Sequence, residues 1–217
     1  MPVDDPLALV RSAYDVVAES YARLLPDASF EAPLDLAMID AFAAAVKEGG
    51  AQLVVDAGCG TGRMTGLLSS LGLNASGIDL SAGMVDVARR TYPGLNFDVG
   101  DLSNLPYADM QVGGVFAWYS IIHSRPNDLP GIFAEFFRVL APGGCAMLSF
   151  QVGEGPRQLP HAYGHDVSMG AHLFAPELVS SHLRTVGFDV AARLVRGPGP
   201  LEKTPQAVLL ARRPGAE

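Results

Sequence analysis

A glycine-rich stretch at residues 56–62, D-A-G-C-G-T-G, follows the apolar run at residues 53–55 and precedes a segment with helical periodicity. Three glycines so close together are costly, because each glycine loses additional backbone entropy on folding. A strand, a glycine-rich turn and a helix in this order are typical of α/β proteins in which the backbone approaches a ligand closely. We therefore expect Gly58 and Gly60 to line a binding site at the carboxyl end of a strand.

Short apolar runs alternate with helical patterns after residue 51, which predicts parallel β-α-β units with helices on both faces of a sheet. The helices of this part are predicted at residues 61–71, 82–91, 128–140 and 176–186. The strands are predicted at residues 53–57, 75–80, 96–100, 112–120, 145–151, 188–195 and 207–211. Only a loop joins the last two strands, so the last one is expected to run antiparallel. The predicted fold is a Rossmann-like α/β sheet of seven strands, mostly parallel, with one antiparallel C-terminal strand.

The segment before the alternating pattern is helical. Helices are predicted at residues 6–25 and 34–47, and the first carries its apolar residues on one face. We expect a small N-terminal helical cap at residues 1–50, followed by one compact domain at residues 51–217. Within that domain, residues 152–174 are rich in Gly and His and are expected to be a loop inserted on the substrate side of the site.

Composition excludes several classes of partner. The 217 residues include 15 Lys and Arg against 23 Asp and Glu, a formal net charge of −8, and no basic run exceeds two residues, which argues against a nucleic-acid partner. No signal-peptide pattern is present, and no apolar run approaches the length of about 20 residues that spans a membrane. Scarce lysine with abundant alanine, glycine and proline points weakly to a bacterial source. We expect a cytoplasmic protein, either a monomer or a homodimer.

The spacing of the glycines argues against a phosphate-bearing ligand. The dinucleotide fingerprint G-x-G-x-x-G/A needs a small third residue where Arg63 stands, and no G-K-[S/T] of a P-loop follows. The pattern present is G-x-G-x-G instead, with Asp56 in front of it. A nicotinamide-dependent oxidoreductase is therefore the weaker alternative.

Acidic residues stand in or directly after three successive predicted strands: Asp56, Asp79 and Asp101. A carboxylate at the second position can accept both hydrogen bonds of a ribose diol, and one at the third can take part in reading an adenine edge. Taken singly, each acid could equally cap the next helix. Taken together, they favour a cationic nucleoside without phosphate.

Four segments carry a resemblance to a known family: V-V-D-A-G-C-G-T-G (54–62), G-I-D-L-S (77–81), D-V-G-D-L (98–102) and R-V-L-A-P-G-G (138–144). They resemble the class I methyltransferases that use S-adenosyl-L-methionine, in the small-molecule branch often labelled "type 11" or ubiquinone-biosynthesis-like. The resemblance covers about residues 50–212. It implies a methyltransferase that transfers a methyl group in line to a small-molecule acceptor and releases S-adenosyl-L-homocysteine.

The resemblance also implies a set of cofactor residues. The glycine loop would hold the methionine portion, the second acid the ribose, and the third acid the adenine edge. The helix Y-D-V-V-A-E-S-Y-A (14–22) is similar to the cap helix of that branch and would close over the carboxylate end. The implied cofactor site comprises Tyr14, Tyr21, Asp56, Gly58, Cys59, Gly60, Asp79, Leu80, Met84, Asp101, Leu102 and Trp118.

Candidate catalytic residues lie in two places. His123 follows the fourth predicted strand, whereas His161, Tyr163 and His165 lie within the 152–174 insertion. Any of them could serve as a general base or contact the substrate, and a base is needed only when the acceptor must lose a proton. A histidine could equally hold only a backbone hydrogen bond. Gly164 interrupts the spacing that a helical metal site would need, so no metal is expected.

Two alternatives to a small-molecule methyltransferase stay open. A protein that binds the same cofactor without transferring a methyl group would show the same cofactor residues, and the nicotinamide-dependent oxidoreductase is disfavoured by Arg63. The identity of the acceptor atom, whether O, N or C, is not indicated by any residue pattern.

Overall fold

The computed structural model describes residues 6–200 and 202–215. The helices are α1 (Pro6–Leu24), α2 (Pro33–Glu48), α3 (Arg63–Ser70), α4 (Ala82–Thr91), α5 (Leu129–Val139) and α6 (Pro176–Val186). The strands are β1 (Leu53–Ala57), β2 (Asn74–Asp79), β3 (Asn96–Val99), β4 (Val112–Trp118), β5 (Leu140–Gln151), β6 (Pro156–Ala162), β7 (His165–His172), β8 (Asp189–Arg196) and β9 (Gln206–Arg212). None of the described helices is both long and apolar enough for a membrane span.

Seven strands form one sheet in the order β3-β2-β1-β4-β5-β9-β8. All pairs from β3 to β5 are parallel, whereas β9 runs antiparallel to both of its neighbours. Strand order reverses between β1 and β4, and the carboxyl ends of the strands leave a crevice there that binds ligands in open α/β sheets. The predicted fold, including the antiparallel C-terminal strand, is confirmed.

Helices cover both faces of this sheet, and β5 shows how its side chains divide between them. Ala146, Leu148 and Phe150 belong to a core that includes residues of α5 and α6. Cys145 and Met147 alternate with them and belong to a second core that includes residues of α2 and α3. Burial on both faces explains why the central strands are rich in apolar residues.

The first helix lies across the edge of the sheet where the ligand crevice opens. Val17 of α1 packs with Met84 of α4 in a small core of their own. Asp15 adds polar contacts, since its Oδ1 accepts hydrogen bonds from Ser81 Oγ at 2.6 Å and from the Gly83 amide at 2.9 Å. These contacts fix α1 over the start of α4.

Residues 152–174 differ from the predicted loop. Strands β6 and β7 pair antiparallel as a separate two-stranded sheet that packs against α1. The two-residue turn is Tyr163-Gly164, with φ of 51° and 84°, which is the left-handed geometry that tight hairpins need. Pro160 lies at a register shift between Leu159 and His161, and this interruption hides the strand pattern in the sequence.

Candidate functional site

A cavity of about 880 Å³ opens at the carboxyl ends of the central strands. Its floor is formed by the turns that follow β1 to β4, and its roof by α1 and the β6–β7 hairpin. Of the residues predicted from the sequence, those lining it are Tyr14, Tyr21, Gly58, Gly60, Asp79, Leu80, Met84, Asp101, Leu102, Trp118, His123 and Tyr163. Asp56, Cys59, His161 and His165 do not line it.

Gly58 and Gly60 of the glycine loop lack a side chain for two different structural reasons. Gly58 has a φ of 86°, and a Cβ added there would lie 2.2 Å from the Cβ of Ser120. Gly60 has a φ of 54°, and a Cβ there would meet no atom within 4 Å. Packing therefore requires Gly58, while Gly60 leaves its backbone open toward the cavity.

Asp79, at the end of β2, ties the loop to the next helix. Its Oδ2 accepts a hydrogen bond from the Gly60 amide at 2.8 Å, and its Oδ1 accepts one from the Ser81 amide at 2.8 Å. Burial raises the pKa of this carboxyl, and the two amide bonds act in the opposite direction. Because an ionised carboxylate has about four acceptor sites, Asp79 can still accept bonds from a ligand diol.

Asp56 lies beneath the loop instead of on the cavity wall. Its Oδ2 accepts a hydrogen bond from Thr65 Oγ1 at 2.6 Å, and its Oδ1 is buried without a partner among the described residues. Burial raises the pKa of Asp56 to about 7. Cys59 is also buried, and burial raises the pKa of its thiol, so little of the thiolate needed for nucleophilic attack is present.

Asp101 shapes the turn after β3. Its Oδ1 accepts hydrogen bonds from both the amide and the hydroxyl of Ser103, each at 2.7 Å. Beside this turn, Leu80, Leu102 and Met84 form an apolar part of the cavity wall. A planar apolar group can lie there with the polar edge of the turn within reach.

The end of β4 places strained and unpaired groups at the cavity. Trp118 Nε1 and Ser120 Oγ are buried without hydrogen-bond partners among the described residues. Tyr119 between them has a φ of 56°, rare for a residue with a side chain, and its amide bonds to Ser149 Oγ at 2.9 Å. Such strain concentrates at functional sites. No sequence motif predicted a role for Tyr119 or Ser120.

His123 is held in one protonation form by its neighbours. Its Nδ1 lies 2.7 Å from the carbonyl oxygen of Gly170, which can only accept, so Nδ1 carries the proton. The neutral ring therefore has a lone pair at Nε2, which accepts a hydrogen bond from the Tyr14 hydroxyl at 2.9 Å. Burial of the ring lowers the pKa of His123.

The other candidates of the hairpin have structural partners. His165 Nε2 and Ser20 Oγ share a hydrogen bond at 2.8 Å, which ties β7 to α1. His161 is exposed and pairs with Asp166 at 2.9 Å. Tyr163 alone reaches the cavity, where its ring packs against Tyr21 with the centroids 4.8 Å apart.

Arg63, the residue that breaks the dinucleotide pattern in the sequence, lines the cavity. It is the first residue of α3, directly after the glycine loop, and its Nη1 donates to Glu31 Oε1 at 2.5 Å. Its position directly after the loop is the signal that could have identified it.

These features fit a nucleoside with an amino-acid tail. The wall combines carboxylate acceptors at Asp79 with an open backbone at Gly60 and apolar surface at Leu80 and Met84. Within residues 6–200 and 202–215 no group of three His, Cys, Asp or Glu residues could hold a metal ion.

Comparison with known proteins shows a similarity in the part of the chain that carries the glycine loop. A family described as a methyltransferase domain matches residues 54–144, the segment that runs from β1 into β5. Over residues 54–144 the chain is therefore similar to methyltransferases. The matched part contains the glycine loop and the turns after β2, β3 and β4.

Curated relatives match about half of the chain. The malonyl-[acyl-carrier protein] O-methyltransferase of Serratia marcescens is 32% identical over 110 residues, which are 51% of this chain and 42% of that protein. The demethylmenaquinone methyltransferase of Chlorobaculum parvum is 34% identical over 96 residues, 44% of this chain and 39% of that protein. The chain thus spans less than half the length of these curated relatives.

A solved structure shows that the similarity of fold extends over nearly the whole chain. The magnesium protoporphyrin IX methyltransferase of Synechocystis PCC 6803 with bound S-adenosylmethionine superimposes with a TM-score of 0.72 at 18% identity, covering 98% of this chain and 99% of that one. At this identity the likeness shows the shared fold.

Proposed function

We propose that the protein transfers a methyl group from S-adenosylmethionine to a small-molecule acceptor bound in the cavity. The observation that carries the proposal is the placement of Asp79, the open Gly60 backbone and His123 around one cavity in a methyltransferase domain. When bound, the cofactor supplies a methyl group on a sulfonium that is already activated for displacement.

Different residues of the cavity would bind different parts of the cofactor. Asp79 would accept the hydrogen bonds of the ribose diol, and Leu80 and Met84 would pack near the adenine. The adenine edge would lie at Asp101 and Leu102. At the other end of the loop, Arg63, Tyr14 and Tyr21 would surround the amino-acid tail, with the guanidinium facing the carboxylate.

In-line displacement needs alignment and the exclusion of water more than it needs an acid or base. The roof of the cavity supports this role, because Tyr21 of α1 and Tyr163 of the hairpin pack against each other across it. Holding the two reacting atoms in line can contribute up to about 10 kcal/mol to the lowering of the barrier. We accordingly propose that residues 1–50 act as a cap and residues 152–174 as the acceptor side of the domain at residues 51–217.

Where the acceptor must lose a proton, His123 is the proposed base. Its Nε2 lone pair is occupied by the Tyr14 hydroxyl, and Tyr14 lines the cavity. The acceptor's proton would pass to the Tyr14 oxygen as the Tyr14 proton moves to Nε2, with the carbonyl of Gly170 stabilising the resulting imidazolium. His161 and His165 are not proposed for this role because neither reaches the cavity.

The cellular setting is part of the same proposal. A net charge of −8 and the absence of a described membrane-spanning helix support action on a small molecule in the cytoplasm, without a nucleic-acid or membrane partner. A bacterial source is supported by composition alone.

Labelled-methyl transfer tests the proposal. The purified protein and methyl-labelled S-adenosylmethionine are incubated with fractionated small-molecule extracts, and label is followed into new compounds. We expect label to move into a small molecule with wild type, and to move at least tenfold more slowly with Asp79→Ala. Binding of S-adenosylhomocysteine without label transfer to any fraction would favour a binding protein instead.

A further inference from the structure

The acceptor side of the cavity lies between the end of β5, strand β6 and the connection from β8 to β9. Here we define it by six lining residues: Trp118, Tyr119, Gln151, Arg157, Lys203 and Gln206. In the sheet, β5 and β9 lie on one side of β1, whereas β2 and β3 lie on the other. The glycine loop after β1 therefore separates the acceptor side from Asp79 and Asp101.

Four arginines among the described residues line the cavity, and their charges are balanced differently. Three of them form ion pairs: Arg63 with Glu31 at 2.5 Å, Arg125 with Asp128 at 2.8 Å, and Arg196 with Asp35 at 2.7 Å and Glu202 at 2.5 Å. Arg157 has only a neutral partner in the described chain, since its Nη1 donates to Gln151 Oε1 at 3.2 Å. The half-buried guanidinium of Arg157 therefore keeps donors and a full charge for a ligand.

The acids of the cavity wall do not balance that charge either. Asp79 and Asp101 lie on the other side of the glycine loop, and Glu31, Asp128 and Glu202 form ion pairs with the other three arginines. Lys203 lines the same side with no ion pair among the described residues. The acceptor side thus carries uncompensated positive charge.

We propose that the methyl acceptor is a small-molecule carboxylate whose anionic oxygens are bound by Arg157. A guanidinium presents a planar fork of donors that matches a carboxylate and forms short, charge-assisted hydrogen bonds. Gln151 accepts a hydrogen bond from one edge of that fork. Trp118 Nε1, which is buried without a partner among the described residues, offers a further donor to an oxygen of the same ligand. This inference rests on the proposed function and narrows it to one class of acceptor.

Binding can be measured without any turnover, because Trp118 is the only tryptophan of the chain and lines the cavity. The protein is saturated with S-adenosylhomocysteine, and its tryptophan emission is followed while paired probes are added at low ionic strength. Each pair is an aromatic or aliphatic carboxylate and its primary amide, such as 4-hydroxybenzoate and 4-hydroxybenzamide. We expect carboxylates to bind at least tenfold more tightly than their amides.

Matched variants locate the effect. Arg157→Gln should abolish the preference for carboxylates, and Arg157→Lys should retain part of it. The control is Arg193→Gln, which removes an exposed arginine of β8 that pairs with Glu177 of α6, and it should leave the preference unchanged. All three should bind S-adenosylhomocysteine like wild type.

Two results would overturn the inference: no carboxylate binding more tightly than its amide, or a preference that survives Arg157→Gln. Failure of the proposed function is a separate result, seen as absent binding of S-adenosylhomocysteine before any probe is added.

Discussion

Substituting the first glycine of the loop tests how this backbone is built. In Gly58→Ala the new Cβ would lie 2.2 Å from the Cβ of Ser120, far inside van der Waals contact, at a backbone φ of 86°. The loop cannot move freely away from Ser120, since the Gly58 amide donates to the Ile78 carbonyl at 2.7 Å. Both overlap and backbone strain should therefore destabilise the folded state.

The size of the effect follows from the two contributions. A left-handed conformation costs a residue with a side chain about 1–2 kcal/mol, and overpacking of a tight contact costs about 1–3 kcal/mol. A loss of about 3 kcal/mol in the free energy of unfolding would lower Tm by roughly 6–12 °C in a protein of this size. Gly60→Ala adds its methyl group to open space, so its cost of about 1 kcal/mol should lower Tm by roughly 2–4 °C.

Thermal denaturation followed by circular dichroism separates these variants, and calorimetric titration with S-adenosylhomocysteine completes the comparison. We expect Gly58→Ala to lose stability and Gly60→Ala to stay folded but bind the ligand at least tenfold more weakly. The double variant Gly58→Ala/Ser120→Gly should recover part of the lost Tm. Equal Tm values for the two single variants, or wild-type ligand affinity in Gly60→Ala, would refute this account of the loop.

Three further predictions concern single side chains. Asp79→Ala should weaken binding of S-adenosylhomocysteine by about 1–3 kcal/mol, because charge-assisted hydrogen bonds to the ribose are lost. Unchanged affinity in a calorimetric titration would show that Asp79 does not bind the ligand. Burial raises the pKa of Asp56 to about 7, so the folded state binds a proton that the unfolded state has released, and the protein loses stability as pH rises from about 4 to about 7. In urea denaturation, Asp56→Asn should therefore be more stable than wild type at pH values above about 7. An equal difference in stability at pH values near 4 would contradict this. Tyr14→Phe removes a donor to neutral His123, so the pKa of the imidazole should rise in an NMR titration, and a fall would argue against the proposed hydrogen bond.

The sheet could be predicted from the sequence because its strands are short, apolar and separated by helical patterns. Burial on both faces keeps β4 apolar throughout and β1 apolar except at Asp56, and the missing helix before β9 required an antiparallel strand. The turns that line the cavity followed from these elements, since parallel strands end at the same edge of a sheet.

Other parts of the site depend on contacts that a local pattern does not contain. The hairpin mixes polar and apolar side chains and has a proline at its register shift, so its pairing is decided by packing against α1. The position of Asp56 beneath the loop depends on Thr65, and the fixed lone pair of His123 depends on Gly170 and Tyr14. These partners are distant in the chain or belong to other elements.

The central claim is that the cavity beside the glycine loop binds S-adenosylmethionine, and the most direct measurement is a calorimetric titration of the purified protein with S-adenosylhomocysteine and, separately, with NAD. The account predicts saturable binding of one S-adenosylhomocysteine per chain, at least tenfold weaker in Gly60→Ala, and no binding of NAD. Binding of NAD without binding of S-adenosylhomocysteine would contradict it.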